Sequence, residues 1–119
     1  MEIVQYVGLI LFAVPFVLSG IGHLVNRGPM SQYAAYKGVP APLVSTVVTG
    51  VLLIVAPLLV IFGIIPQIAL AFLALFLVVT AVKMHNYWAV EPEAKMGEQV
   101  NFNKNVGLAG AALALLALL

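Results

Sequence analysis

The chain has 119 residues, 64% of them hydrophobic and only 8% charged, with a mean hydropathy of +1.17. Soluble domains run at roughly 45–50% apolar and 25% charged, so too few polar side chains are present here to clothe a water-facing surface, and a soluble globular fold is excluded. Five Lys and Arg against four Asp and Glu form no basic stripe and argue against nucleic acid as a partner, and the absence of Cys excludes disulfides, dithiol redox chemistry and Cys-ligated metal.

A membrane helix needs about 20 apolar residues to cross roughly 30 Å of hydrocarbon. The first such run, Ile3 to about Leu24, lies in a stretch with no formal charge between Glu2 and Arg27. It lacks the basic start and short apolar region of a cleavable signal and reads as a retained span. Within it Pro15, Ser19, Gly22, His23 and Asn26 recur at intervals of three and four, so they share one face, expected to point into a helical bundle. Ser19, Gly20 and Gly22 have the small side chains that let helices pack closely. His23 and Asn26 are either satisfied structural polar groups or ligand contacts. The first loop, 25–42, carries Gly28-Pro29 as a cap and first position for a short helix from Met30 to Lys37, lying in the interface with Tyr33 and Tyr36 at headgroup level.

From Gly38 to Val82 the chain runs 45 residues without a charge, too long for one crossing and too short for three. Two spans, about 43–62 and 66–88, joined at Gly63-Ile64-Ile65-Pro66, satisfy it, because Gly ends a helix and Pro, lacking an N–H, starts the next. The third span ends in a polar and aromatic cluster, Lys83 to Trp88. There His85 and Trp88, three apart, fall near one helical face and offer a titratable hydrogen-bonding group beside a flat ring. The acidic residues that follow, Glu91, Glu93 and Glu98, read as a solvated connector with Lys95.

The last charge-free run, Asn105 to Leu119, is 15 residues, too short alone, so a fourth helix is expected to begin near Val100 and to carry Asn101, Asn103, Lys104 and Asn105 into its first turns. Lys104 and Asn105 are then deep enough to need polar neighbours, and Gly107 and Gly110, with Ala111 and Ala114, make small-xxx-small pairs suited to helix contact. The expected architecture is all-α: a single domain over 1–119, an integral membrane four-helix bundle with a short interfacial helix in the first loop. All five cations fall on or near one side, so the positive-inside rule places loops 25–42 and 89–99 in the cytoplasm and both termini outside a prokaryotic cytoplasmic membrane. Two His, with no acidic residue inside a span, make no metal site.

These pieces, in order, resemble the DoxX family: Ser19-Gly20-Ile21-Gly22-His23, Met30 with Tyr33-Ala34, Gly38-Val39-Pro40, Gly63 and Pro66, Leu70–Phe76, Met84-His85-Asn86-Tyr87-Trp88, and Lys104-Asn105. The resemblance implies four membrane helices and an association with quinone-linked oxidation, including thiosulfate oxidation. More distant eukaryotic relatives are similar to receptor-assembly chaperones without redox activity. With no flavin or nucleotide motif and no Cys, the chain is not a self-sufficient oxidase and has no intrinsic cofactor. The expected role is a quinone-associated accessory subunit of a membrane oxidoreductase. His23, Asn26, His85, Trp88, Lys104 and Asn105 would then be ligand contacts to a bound quinone whose tail lies between spans. The alternatives are an assembly protein that recognises a partner's transmembrane helix, or a carrier of a lipid-like amphiphile. The expected partners are the lipid bilayer and a membrane or membrane-associated protein, with homo-oligomers also open.

Overall fold

A computed structural model describes residues 2–119, and these form two compact units that meet in sequence at Ala69 and Leu70. The described residues are helical nearly throughout: α1 (Ile3–Val25), α2 (Arg27–Tyr36), α3 (Pro42–Phe62), α4 (Pro66–Met84), a short 3-10 turn (Tyr87–Ala89) and α5 (Pro92–Leu118). Among the described residues three stretches are long and apolar enough to cross a membrane: Ile3–Val25, Pro42–Phe62 and Pro66–Ala89. The all-helical membrane character expected from composition is thus present.

In the first unit, α1 opens on a capping box in which Gln5 Oε1 accepts a hydrogen bond from the Glu2 N–H at 2.9 Å. Its buried face is Leu9, Ala13, Phe16 and Gly20. Pro15 and Ser19 are exposed, so the inward face is centred about one residue away from the expected polar one. Bulk explains the shift, because Leu9 and Phe16 fill space against a neighbour whereas Ser19 needs none. At Gly20 α1 meets α3 backbone to backbone: a Cβ there would lie 2.5 Å from the Gly50 carbonyl oxygen and 2.7 Å from Ile54 Cγ1. A Cβ on Gly50 would lie 2.7 Å from His23 Cβ, whereas one on Gly22 would meet nothing within 4 Å. Of the two glycines singled out on α1, the crossing therefore uses Gly20.

The helix of the first loop starts at Arg27, earlier than the Gly28-Pro29 cap would have it. Asn26 leaves helical geometry with φ −107° and ψ 31°, and Pro29 falls in the first turn, where its missing N–H needs no partner. Its end closes on Gly38, at φ 81°, with Val39 N–H bonding Ala34 O and Gly38 N–H bonding Ala35 O, the paired bonds of a Schellman turn. Helix α3 ends the same way at Gly63, φ 69°, with Ile64 N–H on Leu59 O, and Pro66 opens α4 as expected.

In the second unit, α4 buries Leu70, Leu73, Ala74, Leu77 and Ala81 along one helical stripe. The third span, Pro66–Ala89, agrees with the expected 66–88, but it is not one continuous helix. Its α-helix stops at Met84, because Asn86 adopts φ −77° and ψ 71°, an inverse γ-turn closed by Tyr87 N–H on His85 O at 2.9 Å, and the 3-10 turn completes it. The last helix begins at Pro92, eight residues before Val100, and runs 27 residues. Pro92 at its start and Glu93 in its first turn supply a preset φ and a favourable charge at the positive end of the helix dipole.

The α1–α3 crossing sets a test. Gly20→Val, and more mildly Gly50→Ala, should lower stability by about 1–3 kcal/mol through overpacking. Gly22→Ala should leave it within about 0.5 kcal/mol. Denaturant titration of the detergent-solubilised protein followed by circular dichroism reads all three.

Candidate functional site

The polar chemistry of the first unit gathers where α1 and α3 cross. Ser45, Thr46 and Thr49 would break an apolar helix if their hydroxyls were unpaired, but each donates to a backbone carbonyl: Pro40 O at 2.7 Å, Pro42 O at 2.7 Å and Ser45 O at 2.6 Å respectively. Because Gly50 has no side chain beneath it, His23 reaches over α3, and its Nδ1 lies 3.1 Å from the Thr46 carbonyl oxygen and 3.2 Å from Thr49 Oγ1. The imidazole is half-buried, and no described residue bonds its Nε2.

Asn26 stands apart from this cluster, exposed at the α1–α2 junction, where Arg27 caps α1 by donating to Leu24 O at 3.1 Å. An apolar groove of about 230 Å³ runs between α1 and α3 past Ile10, Leu18, Leu58 and Ile61. Leu18 and His23, five residues apart, are separated by about 140° around α1, so this groove is not a continuation of the imidazole site.

In the second unit the early end of α4 reorganises the expected cluster. His85 and Trp88 no longer share a helical face. Instead, His85 Nδ1 lies 3.4 Å from Glu98 Oε2, with the two side chains only 21% and 17% exposed. Glu98 thus leaves the solvated connector in which the sequence placed it. Tyr87, Trp88 and Phe102 form a ring triad with centroids 5.3–5.6 Å apart and every pair edge-on. That geometry suits the rings' quadrupoles and occupies Trp88 with its neighbours, although the residue stays 54% exposed.

On α5, Asn105 is buried together with Ala109 and Ala112, whereas Lys104 is exposed and forms no ion pair among the described residues. Gly107 and Gly110 are exposed, and a Cβ on either would meet nothing within 4 Å. The sequence offered one overlooked signal: Glu98, Phe102 and Asn105, spaced by four and three, mark a helical face that starts before Val100. No group of three or more His, Asp or Glu among the described residues is arranged to hold a metal ion.

Three apolar membrane-length helices, with polar side chains held at a close helix crossing, define a small helical integral membrane protein. Residues 7–86 match the DoxX family model, and the chain belongs to that family. It is 29% identical over 100 residues to the inner membrane protein YphA of Escherichia coli (strain K12), a match covering 84% of this chain and 71% of that protein. No solved structure matches it. Family and relative together make it an integral membrane protein of a bacterial inner membrane.

The aromatic triad carries a built-in reporter, because Trp88 is the chain's single tryptophan. Phe102→Ala removes two edge contacts, each worth about 0.5–1.5 kcal/mol. It should shift Trp88 emission to longer wavelength and weaken the near-ultraviolet circular dichroism, while Gly97→Ala should change neither.

Proposed function

We propose that this DoxX protein is a quinone-associated accessory subunit of a membrane oxidoreductase complex. One observation carries the reading: a half-buried imidazole, anchored through Nδ1 at the α1–α3 crossing, keeps its second ring nitrogen unbonded by any described residue. A histidine serving structure alone would use both nitrogens or would be cheaply replaced by an apolar residue at such depth. One nitrogen held and one presented is the arrangement of a ligand contact. His85 is engaged by Glu98 and Trp88 by its ring neighbours, so His23 is the residue on which the reading rests.

His23→Ala should weaken binding of a short-chain quinone, measured on protein in lipid nanodiscs, by at least roughly tenfold, about 1.4 kcal/mol. Unchanged binding removes the model.

The proposed topology completes the picture. The last part of α5 is a fourth span, α2 lies in the interface, both termini are outside, and the loops at 25–42 and 89–99 are cytoplasmic. The chain contains no Cys, so single cysteines report without background. In intact cells an impermeant maleimide should label Gln67→Cys and Leu118→Cys, and should label Ser31→Cys and Glu93→Cys only after lysis. Protection of Leu118→Cys would reduce the spans to three.

A second reading, an assembly protein that recognises a partner's transmembrane helix, has its own support in the exposed Gly107 and Gly110 of α5, where no described residue comes within 4 Å of an added Cβ. Under it Gly110→Leu abolishes pull-down of a partner and leaves quinone binding intact.

A further inference from the structure

The hydrogen bonds around His23 fix more than its position. The Thr46 carbonyl oxygen, 3.1 Å from Nδ1, can only accept. The Thr49 hydroxyl, 3.2 Å from the same nitrogen, gives its own proton to Ser45 O at 2.6 Å, its shortest contact, and so also turns a lone pair to the ring. Both neighbours of Nδ1 are therefore acceptors, and Nδ1 carries the proton. A neutral imidazole has one N–H, so Nε2 presents a lone pair.

We infer that the His23 site takes a hydroxyl donor, and therefore holds the reduced, quinol form of its ligand in preference to the quinone. This rests on the quinone reading above and adds a direction to it. A quinone offers only carbonyl oxygens, which would face the Nε2 lone pair acceptor to acceptor, whereas a quinol offers two O–H groups. To bind the quinone instead, the ring would have to give up Thr46 O by turning over, or gain a second proton. An acceptor opposed by another acceptor forfeits the hydrogen bond it could make, enough to set the order of affinity. The same chemistry would accept the hydroxyl of a diacylglycerol headgroup, so the two sources of hydroxyl must be separated by experiment.

Protein labelled with nitrogen-15 in its two histidines, reconstituted in nanodiscs at pH 8, where an ordinary histidine is neutral, gives the tautomer directly by nitrogen chemical shift; His23→Gln assigns the signals. The expected result is Nδ1–H for His23, and an Nε2–H signal overturns the inference; should His23→Gln not fold, His85→Gln assigns the same two signals. Binding is then compared anaerobically for a short-chain ubiquinol, the matching ubiquinone and dioleoylglycerol. The quinol should bind at least about tenfold more tightly than the quinone, and His23→Gln, whose amide can donate as well as accept, should collapse the ratio to within about twofold. Equal affinity for the two forms, or preference for the quinone, overturns the inference and leaves the quinone reading standing. No binding of either form overturns both. His23-dependent binding of dioleoylglycerol alone overturns the quinol assignment and identifies a lipid hydroxyl as the ligand.

Discussion

The first unit depends on two glycines meeting. In a bilayer the hydrophobic effect does not press helices together, since lipid tails are as apolar as Leu, and association must come from close packing and interhelical hydrogen bonds. Gly20 on α1 and Gly50 on α3 permit the closest version of that packing, with a Cβ at Gly20 reaching to 2.5 Å from the Gly50 carbonyl. The same absence of a side chain at Gly50 makes room for His23 Cβ, so the device that joins the helices also aims the imidazole at Thr46 and Thr49. Packing and candidate chemistry in this unit have one origin.

The second unit solves a different problem. Its helices are separated by a connector that must leave the apolar region, and the chain does this abruptly at Asn86 rather than by running α4 to its polar end. The cost of stopping a helix among apolar residues is the exposure of its last carbonyls. His85 and Tyr87 close an inverse γ-turn there, Ala89 N–H returns to Asn86 O, and the ring triad and the His85–Glu98 pair tie the connector to α5. Side chains that the sequence placed near one helical face are divided here between two sets of contacts, the His85–Glu98 pair and the ring triad.

Much of this was legible beforehand. The spans at the first two long helices, the Gly63–Pro66 turn and the family were readable because length, hydropathy and the Gly and Pro rules act locally. His23 stood out because a titratable group is costly in a span. The α1 face was misplaced because polarity was taken as the mark of an inward surface. In this helix bulk is the better mark: Phe16 and Leu9 are buried while Ser19 is not. The extent of the third span was readable, but the break inside it and the start of α5 were not, because hydropathy does not register a backbone turn at Asn86 or a helix that starts in its polar half at Pro92.

The sequence by itself determined the solvent of this protein, its helical class and its family, since each of these follows from composition, segment length and the order of motifs. It also determined which residues are chemically conspicuous. The tertiary structure decided which of them touch: it placed Gly50 under His23, set Thr46 and Thr49 against Nδ1, drew Glu98 to His85 and left Gly107 and Gly110 open. The physical reason is range. Hydropathy and turn chemistry act over a few neighbouring residues, whereas the pairing of His23 with residues 23 and 26 positions away exists only once two helices have crossed.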